Sequence, residues 1–201
     1  MSGRLGVFGG TFDPPHLGHM ILALEACAQL HLSKVLWVLT PEPPHKLHEP
    51  ISMLEDRLAM VNLALKDEPV FELSTIEFER PGPHYSSDTL RILRDRHLDM
   101  DLVLLLGGDS LHDLPHWNQP QDVLALCHKI GVMSRPGIES ELSDLESQLP
   151  GISSKIQFLD APLLGIAASE VRKRVLEGLP FRYYLLPAVY DYVLEQGLYR
   201  A

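Results

Sequence analysis

The sequence predicts a doubly wound α/β fold built on a parallel sheet. Three observations predict it. Short apolar runs alternate with segments of helical periodicity along the whole chain, the pattern of βαβ units. The run 102–106, Leu-Val-Leu-Leu-Leu, is continuously apolar and ends at Gly107-Gly108, as a strand buried on both faces requires. Polar, basic and glycine-rich segments fall just after the apolar runs, where open α/β sheets bind their ligands.

The elements follow in order. Residues 5–8 are a short first strand and Leu17–Leu30 a helix; Lys34–Leu39 is a second strand. Residues 40–50 hold four prolines and two histidines and read as a loop. Ser52-Met53-Leu54-Glu55 has the capping-box pattern and is expected to open a helix over 53–65. Residues 70–78 alternate like a strand, 80–87 form a Pro/Gly loop, and 88–96 are helical with Ser86 or Ser87 as cap. Further strands are expected at Lys129–Met133 and Ile156–Leu159, with an acidic surface helix over 139–149 and closing helices over 169–177 and 187–196. No repeat or linker interrupts the series. The expectation is a Rossmann-like sheet in one domain, 1–201, with a C-terminal helical part from about 165 to 201.

Composition narrows the function. The 201 residues suffice for a sizeable core. Hydrophobic residues at 45% and charged residues at 22% indicate a globular chain. A net charge of -10 argues against a protein that coats nucleic acid or anionic membrane, but leaves room for a few basic residues in one phosphate pocket. Cys27 and Cys127 lie in apolar surroundings and read as buried free thiols. The start Met1-Ser2-Gly3-Arg4 leaves no space for a signal sequence, and no apolar run approaches membrane-spanning length. A reducing cytoplasm is the expected setting.

The most informative segment is Gly9-Gly10-Thr11-Phe12-Asp13-Pro14-Pro15-His16-Leu17-Gly18-His19, which joins the first strand to the first helix. Glycines let backbone amides approach a phosphate closely. The pattern is neither Gly-x-Gly-x-x-Gly nor a P-loop. His16 and His19, at i and i+3, share a helix face, and their imidazoles can donate to phosphate oxygens beside the positive helix end. Gly18 would leave room for a flat ring or ribose. Helix-capping histidines are the competing reading. A zinc pair is disfavoured because His-Glu-x-x-His spacing is missing. Asp13 could touch a metal-bound water or serve turn chemistry. Asp109, after Gly107-Gly108, could accept from ribose hydroxyls or cap a helix over 110–114. Arg172 reads as a cation in the first turn of a helix, where it opposes the dipole and calls for an anion. Glu139, Glu141, Asp144 and Glu146 read as a solvated acidic face.

Gly-Gly-Thr-Phe-Asp-Pro-x-His-x-Gly-His resembles the signature of the His-x-Gly-His nucleotidyltransferase superfamily. The fuller resemblance is to the bacterial nicotinate-nucleotide adenylyltransferases. It is carried by Pro43-Pro44-His45-Lys46, Arg57-Leu58-Ala59-Met60, Arg80-Pro81-Gly82-Pro83-His84-Tyr85-Ser86-Ser87-Asp88-Thr89-Leu90, Gly107-Gly108-Asp109-Ser110-Leu111, Trp117, and Leu185-Leu186-Pro187 through Gly197-Leu198-Tyr199. The segment 165–172 departs from that family's Ile-Ser-Ser-Thr-x-Ile-Arg: Ala167 and Ala168 replace two serines and Ser169 a threonine. Triphosphate binding there must lean on backbone amides, Ser169 and Arg172.

The resemblance implies adenylyl transfer from ATP to nicotinate mononucleotide, giving deamido-NAD and pyrophosphate in NAD biosynthesis. It implies His16, His19, Lys46 and Arg172 as catalytic donors. It puts Gly9, Gly10, Thr11, Phe12, His16, His19, Gly107, Asp109, Ser169 and Arg172 around ATP. Lys46, Tyr85, Ser86, Trp117 and Arg135 fall around nicotinate mononucleotide, with Trp117 stacked on the pyridine ring. Magnesium, carried mainly on the ATP phosphates, is the implied cofactor, and no protein metal ligand is assigned. The alternatives are nicotinamide mononucleotide or phosphopantetheine as acceptor, a nucleotide-binding module without turnover, and, more distantly, a zinc hydrolase.

Overall fold

The structure is a computed structural model and describes residues 3–43, 50–133, 142–162 and 164–200, with the side chain of Asp109 excepted. Lys46 and Arg135 lie outside the described residues.

Six strands form one parallel sheet: β1 (Gly3–Gly10), β2 (Lys34–Leu39), β3 (Phe71–Ser74), β4 (Met100–Leu106), β5 (Lys129–Met133) and β6 (Ile156–Leu159), in the order β3-β2-β1-β4-β5-β6. Side chains alternate between the faces, as the strand period requires. Leu5, Val7, Leu36, Val38, Leu102 and Leu104 enter one core. Phe8, Val35, Trp37, Leu39, Val103 and Leu105 enter the other.

The connections run helix by helix. The second core is covered by α1 (Leu17–Leu30), through Leu22, Ala23, Ala26 and Leu30, and by α2 (Leu54–Leu65), through Val61 and Leu65. The first is covered by α3 (Ser86–Arg96), α4 (Gly108–Asp113), α5 (Pro120–Leu126), α6 (Leu142–Gln148) and α7 (Ile152–Lys155). The closing helices α8 (Ala168–Leu176) and α9 (Pro187–Glu195) pack outside α2, where Met60 and Ala64 meet Val171, Val175, Val189 and Val193. No helix among the described residues is long and apolar enough to cross a membrane.

The order reverses at β1, which β2 flanks on one side and β4 on the other. The β1–β2 register runs to Gly10–Leu39, whereas the β1–β4 register stops at Val7–Leu104. The strands of the second pair therefore part before their C-terminal ends, opening a crevice at the topological switch point.

Several local expectations are corrected. Ser52 is not the cap of α2; Met53 is, without a side-chain bond. Ser52 is engaged elsewhere: its amide donates to Asp13 Oδ2 at 3.1 Å and its carbonyl accepts from Arg57 Nε at 3.2 Å. The expected strand 70–78 ends at Ser74, and Ile76–Glu79 turn into a 3₁₀ helix that buries Ile76 and Glu77 together. Alternation cannot produce that pairing. The third helix starts at Ser86, capped by Tyr85 rather than by either serine. Gly107, not Asp109, is the N-cap of α4. Pro120–Leu126 is a helix that sequence periodicity did not reveal, because only two turns are present. Cys127 is buried as expected but Cys27 only half-buried; both are free. In the acidic run, Glu146 accepts from the amides of Gly151 and Ser153 at 2.7 and 2.9 Å, so it caps α7 rather than merely facing water. Glu139 and Glu141 lie outside the described residues.

Candidate active site

The site is built where β1 ends. Gly9 is exposed, and a Cβ built on it would meet nothing within 4 Å among the described residues, at the mouth of the crevice. Gly10 differs. A Cβ there would lie 2.8 Å from the Phe12 ring, which folds back because Phe12 adopts φ 48°. The buried Phe12 ring then packs edge-on against Phe8 and His19 and tilts against Trp37. This aromatic floor fixes the loop before the histidines begin.

His16 is the N-cap of α1 rather than a residue of its first turn. Its ring lies stacked on that of His19, with centroids 3.6 Å apart. The His16 amide donates to His19 Nδ1 at 3.2 Å. A nitrogen that accepts carries no proton, so neutral His19 holds its proton on Nε2. Burial lowers the His16 pKa to about 4, so His16 is a neutral imidazole at physiological pH. The room expected beside Gly18 is taken: a Cβ on Gly18 would lie 3.1 Å from His16 Nδ1 and 3.5 Å from the carbonyl of Ile166. Gly18 therefore lets the imidazole, not a ligand, sit against the helix start.

That contact with Ile166 brings the start of α8 to the start of α1. Ala167 caps α8 without a side-chain bond, as its methyl group dictates, so the cap supplies no side-chain acceptor to the first-turn amides. Ser169 is exposed in that turn. Arg172 is the fifth residue of α8, beyond the first turn expected for it. Its Nη1 donates to the Asp13 carbonyl at 2.8 Å. Part of its demand for a negative partner is thus met by the backbone of the signature loop.

Asp13 is a structural hub. It is 2% exposed, and its carboxylate accepts from the Ser52 amide and, at 2.6 Å, from the Tyr199 hydroxyl. Of the two readings left open for Asp13, the structure favours loop architecture. Arg57, also 2% exposed, donates to the carbonyls of Ser52, Thr11, Thr40 and Pro41 and so ties the loops after β1 and β2 to α2.

On the other side of the crevice, Gly107 opens α4 with no neighbour within 4 Å of a built Cβ among the described residues. Trp117 is half-buried and packs against the core under α3 and α5. Tyr85 and Ser86 form the start of α3. The loop before them is held by Arg80, which donates to the carbonyls of Pro83 and Tyr85 and to Thr89 Oγ1. Thr89 in turn donates to Glu77 Oε1 at 2.5 Å. Burial raises the Glu77 pKa, opposed by its bonds from Thr89 and Thr40 and by Arg80. Glu77 Oε2, Arg80 Nε, His84 Nδ1 and Ser87 Oγ are buried without a hydrogen-bond partner among the described residues. Burial and then Arg80 lower the His84 pKa.

Among the described residues, the structure thus brings Gly9, Gly10, Thr11, Phe12, His16, His19 and Arg172 together at the end of β1. Gly107 begins the adjoining helix across the crevice. Sequence reasoning gave Asp13 a turn role as one of two readings, but missed Arg57 and Tyr199 as the framework of this site. One signal was present: Arg57 shares the buried stripe of α2 with Met60, Val61 and Ala64, a position where an unpartnered charge would be costly.

The fold and this donor set define a nucleotidyltransferase of the cytidylyltransferase-like class, and that family matches over residues 7–174. A probable nicotinate-nucleotide adenylyltransferase of Thermomicrobium roseum is 45% identical over 197 residues, covering 98% of this chain and 92% of its own. Another, of Roseiflexus castenholzii, is 43% identical over 199 residues, covering 99% of both. The chain belongs to the nicotinate-nucleotide adenylyltransferase family. Its fold is shared with a Plasmodium falciparum nicotinic acid mononucleotide adenylyltransferase complexed with NaAD, at a TM-score of 0.78 and 18% identity, covering 98% of this chain and 97% of that one.

Proposed function

We infer that the protein transfers the adenylyl group of ATP to nicotinate mononucleotide, giving deamido-NAD and pyrophosphate in NAD biosynthesis. The observation that carries this reading is the bond from Arg172 to the Asp13 carbonyl. It ties α8 to the signature loop, three residues before His16, the cap of α1. Family membership supplies the acceptor.

A phosphate oxygen of the acceptor attacks the α-phosphorus of ATP. The bond to the bridging β-phosphate oxygen breaks, and pyrophosphate leaves with the electron pair. A phosphate monoester is already anionic near neutral pH and needs no strong general base. The residues instead align two polyanions and stabilise charge on the leaving group. Gly9, Gly10, Thr11 and Phe12 present backbone to the nucleotide. His16 and His19 face the phosphates from the start of α1, and Ser169, the α8 amides and Arg172 face them from the other side. Gly107 and Asp109 border the ribose. Tyr85 and Ser86 receive the acceptor, with Trp117 against its pyridine ring. Lys46 and Arg135 are added on the resemblance alone.

The donor set is N–H groups and the Ser169 hydroxyl, and both Asp13 oxygens are committed to Ser52 and Tyr199. These residues suit phosphate oxygens. Magnesium would be held at such a site through the ATP phosphates rather than by protein ligands, and would supply charge neutralisation on the leaving group. We also assign the whole chain to one nucleotidyltransferase domain, and, on its two unpaired cysteines, to a cytoplasmic setting.

Purified protein supplied with ATP, magnesium and nicotinate mononucleotide releases pyrophosphate on this reading. No release across a range of pH and metals would contradict it.

A further inference from the structure

Tyr199 lies two residues before the end of the chain, far in sequence from any residue proposed to touch substrate. Its hydroxyl nonetheless donates to Asp13 Oδ1 at 2.6 Å across a separation of 186 residues. The phenol also bonds the Ser52 side chain and lies 3.8 Å from the Met60 sulfur. Burial, then the Asp13 charge and its hydrogen bond, raise the Tyr199 pKa, so the phenol stays a neutral donor at working pH. Tyr199 has φ 64°, in the left-handed region that a bulky residue rarely adopts. The preceding turn through Gly197, φ 63°, delivers the ring inward.

We propose that Tyr199 is a positioning residue for the adenylyl-transfer site, acting through Asp13 on Arg172. Asp13 is fixed on three sides. Tyr199 holds one carboxylate oxygen, the Ser52 amide holds the other, and its backbone carbonyl carries the Arg172 guanidinium. Three residues further along stands His16, the cap of α1. The phenol thereby sets the loop on which both phosphate-facing groups depend. Misplacement by a fraction of an ångström at such a site is expressed in rate rather than in binding of the distant substrate. The proposal rests on the adenylyl-transfer reading given above.

The test is Tyr199→Phe, which keeps the ring and removes only the hydroxyl. Its matched control is Tyr192→Phe, which removes the hydroxyl donated to Asp56 Oδ1 at 2.9 Å, between α9 and α2 and away from the signature loop. Full-length proteins are assayed for pyrophosphate release, and binding of a non-hydrolysable ATP analogue is titrated by calorimetry. Tyr199→Phe is expected to lower kcat roughly tenfold to hundredfold and to weaken the analogue, leaving KM for nicotinate mononucleotide within about twofold. Tyr192→Phe keeps wild-type kinetics. Equal kinetics for the two variants, or a proportional loss on both substrates, would overturn the proposal. Asp13→Asn, of the same size and with one acceptor oxygen kept, lowers kcat in the same direction and serves should Tyr199→Phe not fold; unchanged kcat in a folded Asp13→Asn would also overturn it. If wild-type protein releases no pyrophosphate with this acceptor, the functional reading fails; weakened analogue binding in Tyr199→Phe still decides the coupling to the phosphate side.

Discussion

The His16 ring rests on the His19 ring with planes 20° apart, and the amide of the first donates to Nδ1 of the second. The stack and the amide bond hold the two rings together, and burial keeps His16 neutral with its pKa lowered to about 4. In the unfolded chain the same group titrates near 6.5. Between these values the unfolded state binds the extra proton. The stability contributed by neutral His16 is therefore complete above pH 6.5 and lost as pH falls toward 4. The loss is up to about 3 kcal/mol. Urea unfolding of wild type and His16→Gln across this interval checks it. His16→Gln is expected to show a shallower fall, and parallel curves would contradict the assignment.

Neighbouring glycines predict opposite outcomes. Gly10→Ala places a methyl 2.8 Å from the Phe12 ring and costs about 1–3 kcal/mol of stability. Gly9→Ala meets nothing within 4 Å, so its melting temperature stays at or above wild type, while its KM for ATP rises about tenfold as the methyl enters the nucleotide's space. Thermal melts and initial-rate kinetics on the two variants separate folding from binding.

Arg57 is buried with donors on four backbone carbonyls. Arg57→Met fills similar volume but leaves those carbonyls without their donor. It is expected to lose about 3 kcal/mol or more in denaturant unfolding. A loss below about 1 kcal/mol would show that water replaces the guanidinium.

Much of this was legible from sequence because strands buried on both faces must be apolar and glycine turns must follow them. The bounds of α1, β2, β5 and β6 agree with the runs that announce them. The errors have a common cause. At Ser52 and at Ile76–Glu79, distant partners override local pattern: Ser52 serves Asp13 and Arg57, while Glu77 turns inward to Thr89. Ser86 begins a helix because Tyr85 caps it, with the Thr89 amide donating to the Tyr85 carbonyl. The histidines and Arg172 could be named from their motifs. Their protonation and support could not, since burial and contacts spanning 159 and 186 residues have no local signature.

The central claim is that the donors gathered at the end of β1 drive transfer from ATP to nicotinate mononucleotide. Its most direct measurement is the steady-state rate of pyrophosphate release by wild type and His19→Ala with ATP and magnesium, comparing nicotinate mononucleotide with nicotinamide mononucleotide and phosphopantetheine. The account predicts fastest release with nicotinate mononucleotide, and in His19→Ala a kcat lower by about 100-fold with acceptor KM little changed. Faster turnover of another acceptor, or equal and modest losses in kcat and KM for His19→Ala, would contradict it.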